Sequence, residues 1–252
     1  MTFVPKAMVF DLDGTLAESK QRVDADMGEL LSQLLSHMPV AVMSGGSWLQ
    51  FQHQFLTSLP SSAKLDKLYL FPAGAAFCYV HRQGEWHPQY DHSFSPQEKK
   101  KILDAFDASF KEIGFQQPKK IWGLQIEDRD GEITFSALGQ QAPIEEKQKW
   151  DPNQEKRRPL FEALKRHIPE FSIGLNAMTS IDITPHDINK AYGVKRFSEL
   201  TQISLPEMLY VGDALEEGGN DSVVIGTGIH THEVFGPEET AALIKDLLSQ
   251  LS

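Results

Sequence analysis

Two aspartates one residue apart, Asp11 and Asp13, follow the apolar run Ala7–Phe10 and precede a glycine. The run predicts a short buried strand, and the period of two along a strand points both carboxylates to the same side. An ionised Asp can attack phosphorus if its repulsion from the phosphate is cancelled. Gly14 allows a sharp turn, and Thr15 can donate a hydrogen bond to a phosphate oxygen. The spacing therefore indicates phosphoryl transfer.

An acidic turn at a strand end and a calcium-binding loop are the alternatives for this segment. A calcium loop of the EF-hand type needs a third ligand where Thr15 stands and a glutamate where Arg22 stands. The calcium interpretation therefore fails, whereas an acidic turn remains compatible with these residues taken alone.

Two later segments could hold a phosphate. Ser44 and Gly45 follow the apolar run Val40–Met43 and enter a predicted helix, so a hydroxyl and several amides meet at a strand end. Lys190 opens another predicted helix, where a positive charge is unfavourable for the helix dipole. It could neutralise Asp11 and a phosphate, whose charges repel by roughly 4 kcal/mol at ~4 Å. Ordinary turn chemistry and a solvated surface lysine are the alternatives.

Two further acidic residues follow the apolar run Met208–Val211. Asp213 ends this predicted strand, and Asp221 lies in the glycine-rich loop behind it. Asp213 would sit beside Asp11 if the two strands are neighbours, and such hard oxygen ligands suit Mg²⁺. A solvated acidic loop is the alternative.

Composition narrows the class of protein. The chain has 252 residues, a formal charge of −11 and one cysteine, Cys78. Its negative charge repels polyanions, so we expect neither a nucleic-acid nor an anionic-membrane partner. A single cysteine excludes an internal disulfide and fits a reducing compartment. Since neither a signal peptide nor a membrane-spanning segment is recognised, we expect a cytoplasmic protein.

The order of predicted elements indicates an α/β fold with an insertion. Strands and helices alternate at the start and the end of the chain, which is typical of a parallel sheet covered on both faces. The middle instead shows paired strands and separate helices, beginning with a hairpin at Gln83–Gly84 that leaves the core. We therefore expect a core domain at 1–83 and 187–252 and an inserted α+β domain at 84–186. Val223–Ile225 is among the strands predicted for the core.

The four segments, in this order and at these strand ends and helix starts, resemble the haloacid dehalogenase-type (HAD) phosphotransferase superfamily. The resemblance implies a Rossmann-like parallel-sheet core with the inserted α+β cap of the second HAD class. It makes Asp11 the nucleophile that forms a phospho-aspartyl intermediate and Asp13 the general acid and base. Ser44 and Lys190 would hold the phosphate. The implied Mg²⁺ ligands are Asp11, Asp213, the backbone carbonyl of Asp13 and, in addition, Asp221.

Within that class the chain is similar to the eukaryotic-type phosphomannomutases over most of its length. The similarity is carried by Val42–Ser47, Glu127–Gly131, Ser136–Gly139, Phe171–Gly174, Ser180–Pro185, Asn189–Tyr192, Gly212–Asp213, Gly218–Asp221 and Pro237–Thr240. The family holds the distal phosphate of its substrate with arginines, and Arg129 matches one of them. Gln140 and Lys147 stand where two others are expected, and Lys20 replaces an arginine of the core. The implied substrate-binding residues are Thr15, Lys20, Gly45, Arg129, Gln140, Lys147, Ser180 and Asp182.

These departures decide between two reactions. A mutase holds a bisphosphorylated intermediate and needs two comparable phosphate sites, whereas a phosphatase needs one. A charged hydrogen bond contributes roughly 1.5–3 kcal/mol, so Gln140 weakens the second site. We therefore expect a Mg²⁺-dependent phosphatase acting on a small sugar phosphate, with a phosphomannomutase or phosphohexomutase as the alternative and a non-catalytic sugar-phosphate sensor as a remote one. A homodimer through the cap is a further expectation from the resemblance.

Overall fold

A computed structural model describes residues 3–176 and 178–251, so Met1, Thr2, Ala177 and Ser252 lie outside the described residues. The chain divides into two units. One extends through Asp91 and resumes at Asn189, and the other is His92–Ile188. None of the described helices combines the length and the apolar character needed to cross a bilayer.

The described residues of the two units together form eleven strands and seven α-helices. The strands are β1 (Ala7–Asp11), β2 (Val40–Met43), β3 (Leu68–Phe71), β4 (Phe77–Arg82), β5 (Glu85–Asp91), β6 (Ile126–Asp128), β7 (Ile133–Ser136), β8 (Phe171–Asn176), β9 (Ser180–Pro185), β10 (Met208–Gly212) and β11 (His230–Glu233). The helices are α1 (Ala25–His37), α2 (Trp48–Gln50), α3 (Pro96–Ile113), α4 (Ile144–Trp150), α5 (Arg158–His167), α6 (Lys190–Thr201) and α7 (Pro237–Leu251).

The first unit is built on a seven-stranded sheet in the order β11-β10-β1-β2-β3-β4-β5, of which the first five strands are parallel. Alternate residues of β1 face opposite sides of this sheet. Met8 and Phe10 join an apolar cluster with Leu34 of α1, and Val9 joins the other cluster with Val194 of α6. Burial on both faces explains why the central strands read as continuous apolar runs. The predicted α/β fold class is confirmed.

The predicted domain boundary at residue 83 differs from the one in the structure. Strands β4 and β5 form the predicted hairpin, but β4 pairs antiparallel with β3, so the hairpin extends the core sheet instead of leaving it. The second unit accordingly begins at His92 and ends at Ile188, against predicted limits of 84 and 186.

The strand predicted at Val223–Ile225 is wrong. Ser222–Thr227 forms a 3-10 helix that buries Val224 and exposes its two neighbours. The strand in this region is β11, which pairs with β10 at the sheet edge. All four of its residues are exposed and polar or charged, so no apolar pattern marks it.

The second unit is an antiparallel sheet in the order β6-β7-β9-β8 with helices packed against it. Its core contains Phe106 of α3, Leu164 of α5, Phe135 of β7 and Ile181 of β9. Ser95 caps α3 by accepting a hydrogen bond from the Glu98 amide. Strand β8 and helix α4 were not predicted as elements.

Candidate active site

The site forms where parallel strands β1 and β10 end side by side. Phe10 pairs with Val211 in the ladder, so Asp11 and Gly212 occupy the same level and Asp213 follows immediately. Side chains at the carboxyl ends of neighbouring parallel strands meet at one edge of a sheet. The structure therefore brings together two carboxylates that lie about 200 residues apart in the chain.

Asp11, Asp213 and Asp221 form a group in which one carboxylate oxygen from each residue lies within 4.8 Å of the other two. Asp11 and Asp221 are buried and Asp213 is partly buried. Three carboxylates and one nearby ammonium leave a net charge of −2, which is costly away from water. An all-oxygen donor set with excess negative charge fits Mg²⁺. The residues present thus suit the ion that the resemblance implies.

Lys190 bridges two of these carboxylates. Its Nζ lies 2.5 Å from Oδ1 of Asp11 and 2.5 Å from Oδ1 of Asp221, and its side chain is only 5% exposed. Asn189 caps α6 by accepting a hydrogen bond from the Tyr192 amide, so Lys190 is the first residue of the helix. Burial alone would lower the pKa of Lys190, but the two carboxylates override it and raise that pKa. Lys190 therefore keeps its proton and its positive charge inside the site, and it is not a solvated surface lysine.

Asp221 differs from the other two carboxylates because protein donors occupy both of its oxygens. Its Oδ1 accepts hydrogen bonds from Lys190 and, at 2.5 Å, from the Tyr210 hydroxyl, and its Oδ2 accepts one from the Ala214 amide at 3.2 Å. This arrangement suits a residue that orients Lys190 better than a direct metal ligand. Tyr210 was not anticipated, because a tyrosine in the middle of a buried strand is indistinguishable from core.

Burial raises the pKa of both strand-end carboxyls. The pKa of Asp11 lies well above its ordinary value because desolvation outweighs the opposing effect of Lys190. Desolvation and then the charge of Asp221 raise the pKa of Asp213 to about 6. A nearby divalent cation favours the ionised forms. Nucleophilic chemistry at Asp11 thus requires additional positive charge in the site.

Asp13 accepts three hydrogen bonds. The Lys20 backbone amide and the Gln54 side-chain amide reach its Oδ1 at 2.6 and 3.0 Å, and the Ser44 hydroxyl reaches its Oδ2 at 3.4 Å. Lys20 thus contributes its backbone to this contact, at a positive φ of 61°. Gln54 was missed, since nothing in its local sequence separates it from the neighbouring glutamines.

The predicted phosphate-binding segment follows β2. The Gly46 amide donates to the Ser44 hydroxyl at 3.0 Å, which fixes Ser44 at the end of the strand beside Gly45. On the other side of the site, Thr15 is buried and its hydroxyl lies 3.5 Å from Oδ1 of Asp213. Ser44 and Thr15 are thereby linked through hydrogen bonds to Asp13 and Asp213.

Two glycines allow the backbone to approach the carboxylates. A Cβ at Gly14, whose φ is +89°, would lie 2.2 Å from Oδ2 of Asp213, and one at Gly212 would lie 2.3 Å from Oδ2 of Asp221. No larger residue fits either position without displacing a site carboxylate.

The second unit contains the predicted cap residues. Arg129 donates to Glu127 at 2.6 and 2.9 Å and to Glu132 at 2.7 Å, and its side chain is 8% exposed. Burial and then the charge of Asp182 raise the pKa of Glu132 to about 8. Three carboxylates therefore surround one guanidinium. Sequence reasoning missed Glu132, which precedes an apolar strand and resembles a surface residue there.

The remaining predicted cap residues lie on β9 or follow β7 in the chain. The Gln140 side-chain amide lies 3.5 Å from the carbonyl of Thr134, and Nζ of Lys147 lies 3.5 Å from the carbonyl of Gln140. Ser180 and Asp182 lie on β9, opposite Ser136 and Thr134 of β7. The structure thus gathers Gln140, Lys147, Ser180, Asp182 and Arg129 around the same two strands.

A buried ion pair not anticipated from the sequence joins Arg157 to this sheet. Nε of Arg157 lies 2.9 Å from Asp151, and Nη1 donates to the Ser180 carbonyl at 2.8 Å. Both partners are nearly inaccessible, so the pair is part of the fold.

A family model and curated relatives that match this chain are described as phosphomannomutases. Residues 27–250 match the family model described as "Eukaryotic phosphomannomutase". Human phosphomannomutase 1 is 26% identical over 247 residues, covering 95% of this chain and 90% of the relative. The Saccharomyces cerevisiae phosphomannomutase is 26% identical over 254 residues, with 97% and 95% covered.

Solved structures share the fold at lower identity. The C-terminal domain of trehalose-6-phosphate phosphatase from C. albicans gives a TM-score of 0.67 at 16% identity, covering 98% of this chain and 93% of that domain. A C-terminally truncated IMP-nucleotidase from Plasmodium falciparum gives a TM-score of 0.71 at 16% identity, with 99% and 72% covered. Both likenesses concern the fold alone. The match of the family model over most of the sequence shows that the chain belongs to the eukaryotic phosphomannomutase family.

Proposed function

We propose that this enzyme is a Mg²⁺-dependent phosphotransferase that acts on hexose phosphates through a phospho-aspartyl intermediate at Asp11. The observation that carries the proposal is the buried ion pair between Lys190 and Asp11, beside the carboxylates of Asp213 and Asp221. A buried nucleophile, a buried cation and a metal-type carboxylate group at one sheet edge are the parts that phosphoryl transfer requires.

The chemistry of each residue follows from its position. An Asp11 carboxylate oxygen attacks phosphorus, so an O–P bond forms as the ester O–P bond breaks. Asp13 gives its proton to the departing oxygen and later removes one from the acceptor hydroxyl. Lys190 offsets the charge of Asp11 and the phosphate, and the Ser44 hydroxyl and neighbouring amides bind phosphate oxygens. Mg²⁺ held by Asp11, Asp213 and the backbone carbonyl of Asp13 would neutralise the accumulating negative charge.

The second acceptor distinguishes a mutase from a phosphatase. Family membership and the names of the relatives favour interconversion of hexose 1- and 6-phosphates over the hydrolysis expected from the sequence. We therefore propose a phosphomannomutase-type reaction as the primary function, in which a sugar hydroxyl accepts the phosphoryl group from phospho-Asp11.

Hydrolysis is retained as the second candidate because of the surroundings of Arg129. Glu127 and Glu132 bind its guanidinium, and Asp182 lies near enough to raise the pKa of Glu132, so a second phosphate would meet more carboxyl groups than cations. Gln140 and Lys147 give a weaker anion site than arginines, since Gln is neutral and Lys lacks the bidentate fork. These features favour water as acceptor.

A non-catalytic sensor is the third interpretation. Asp11, Asp13, Lys190 and Asp213 are all present, and their contacts are those of an assembled site. Turnover of a generic aryl phosphate with Mg²⁺ would exclude a sensor.

A phosphorus NMR time course separates the two reactions. The protein is incubated with Mg²⁺ and α-mannose 1-phosphate, with and without glucose 1,6-bisphosphate. A 6-phosphate signal that grows only with the bisphosphate establishes the mutase. Free phosphate in both samples establishes the phosphatase, and no change in either sample contradicts the proposal.

We also propose that the protein dimerises through the cap and is cytoplasmic. Leu124 is 73% exposed and Ile144 is 48% exposed in the second unit, and these apolar side chains are the candidates for a contact between copies. Light scattering of Leu124→Glu beside the unmodified protein tests this: a dimer that persists unchanged in the variant would place the interface elsewhere.

A further inference from the structure

The carboxylate of Asp13 is held asymmetrically. Its Oδ1 accepts two hydrogen bonds, at 2.6 Å from the Lys20 amide and at 3.0 Å from the Gln54 side chain. Its Oδ2 has a contact of 3.4 Å from the Ser44 hydroxyl, close to the limit for a hydrogen bond. A carboxylate oxygen has two in-plane lone pairs, so both lone pairs of Oδ1 are engaged.

We propose that Gln54 is a positioning residue that, with the Lys20 amide, directs Oδ2 of Asp13 to the reacting oxygen of the substrate. This inference rests on the proposed function, in which Asp13 is the general acid and base. In the first half-reaction the proton on Oδ2 passes to the leaving oxygen as the O–P bond to Asp11 forms. In the second, Oδ2 takes the proton of the acceptor hydroxyl as that oxygen attacks phosphorus and releases Asp11.

The helical segment around Gln54 fixes this side chain. After α2 the helix widens into a π-helical turn over Phe51–Phe55, a rare geometry that recurs at functional sites. Phe51 and Phe55 are fully buried on either side, and the Gln54 carbonyl accepts a hydrogen bond from the Val23 amide at 2.9 Å. The backbone is thereby held at several points, and the Gln54 side chain, 7% exposed, has little freedom to turn away.

A neutral amide suits this position. Because the amide N–H donates to Oδ1, it can hold Asp13 whether Oδ2 carries a proton or not. A lysine or arginine in its place would add a buried cation beside Asp13. The residue type thus fits a group that alternates between acid and base.

Single-turnover kinetics test the role of Gln54. Enzyme with Mg²⁺ is mixed in excess with one of two phosphoryl donors, α-mannose 1-phosphate or 4-nitrophenyl phosphate. Loss of donor reports transfer to Asp11, whatever the second acceptor is. The sugar oxygen needs a proton as it leaves, whereas nitrophenolate is a stable anion, so the two donors differ in their need for Asp13.

Gln54→Met removes the donor at similar volume, and Gln54→Asn withdraws the amide by one methylene. We expect both to slow transfer from the sugar phosphate by about tenfold or more, the range of general acid catalysis, and transfer from the aryl phosphate by less than about threefold. The matched control is Gln52→Met, on the exposed side of the same turn, with both rates unchanged. Thermal melting checks that each variant is folded.

The positioning role would be overturned if the Gln54 variants lost the same factor in rate on both donors. It would also be overturned if their rates equalled those of Gln52→Met. A wild-type enzyme that takes phosphate from neither donor would instead overturn the proposed function, and the positioning role with it.

Discussion

Glu132→Gln tests whether Arg129 receives a second phosphate, which a mutase needs and a phosphatase does not. Glu132 contacts Arg129 at 2.7 Å and the Thr134 hydroxyl at 3.1 Å, and Asp182 lies near enough to perturb it. Glutamine preserves the shape and the acceptor oxygen but removes the titrating charge. If Arg129 receives the second phosphate of a bisphosphate, this charge controls how well that phosphate binds.

The effect of Glu132 on the affinity for a hexose bisphosphate depends on pH. With a pKa of about 8, Glu132 is about one-tenth ionised at pH 7 and about nine-tenths ionised at pH 9. Its carboxylate at ~6 Å from a phosphate repels each unit of phosphate charge by about 3 kcal/mol at an effective dielectric near 20. Binding then requires the protonated form. The Kd for a hexose bisphosphate is therefore expected to rise about tenfold from pH 7 to pH 9.

Titration calorimetry with glucose 1,6-bisphosphate at pH 7, 8 and 9 measures this dependence. The phosphate itself titrates near pH 6, below the window. Glu132→Gln is expected to bind equally well at all three values, and the control Glu162→Gln, on the exposed side of α5, to behave as the wild type. The same tenfold rise of the Kd in Glu132→Gln would show that another group causes the pH dependence. It would refute the argument that ionised Glu132 opposes phosphate binding at Arg129.

Other expected outcomes concern the core and the stability of the cap. Lys190→Met leaves two buried carboxylates without their cation, so urea unfolding without Mg²⁺ should show a loss of about 3–5 kcal/mol; an unchanged midpoint would contradict the ion pair. Gly14→Ala places a Cβ 2.2 Å from Asp213 at a φ of +89°, and should lower the free energy of unfolding by about 2 kcal/mol and abolish turnover. EDTA should stop turnover and Mg²⁺ restore it, and Asp213→Asn should raise the Mg²⁺ concentration for half-maximal activity; an unchanged requirement would remove Asp213 from the metal site. Because the folded pKa of Glu132 exceeds its unfolded value, its contribution to stability is complete below pH 4.5 and is lost as pH rises through 8. Relative to Glu132→Gln, the wild type should therefore lose about 3 kcal/mol between pH 5 and pH 8, as measured by denaturant unfolding.

The sequence predicts the residues of the core site because each lies in a local pattern. Asp11, Ser44, Lys190 and Asp213 all stand at a strand end or a helix start, where a short apolar run or a cap signal marks the place. The parallel order of β1 and β10 then brings Asp11 and Asp213 together without further information. Their roles in catalysis remain predictions.

Residues that act through distant contacts were not predictable in this way. Gln54 contacts Asp13 across 41 positions of the chain. The raised pKa of Glu132 depends on burial and on Asp182 of β9, so no local pattern marks either residue. The hairpin of β4 and β5 was recognised from its turn, but a turn does not tell which sheet its strands join. Strand β11 has no apolar face to detect.

The pairing of β1 with β10 has a consequence for synthesis of the chain. Ala7 is made near the beginning and its ladder partner Met208 about 200 residues later. At roughly 5–20 residues per second on the ribosome, the edge of β1 that pairs with β10 stays without its partner for about 10–40 s. The second unit is continuous in sequence and lies entirely within that interval. The inserted domain can therefore fold while one edge of β1 still lacks its neighbour β10, and that edge is what a chaperone would need to shield during translation.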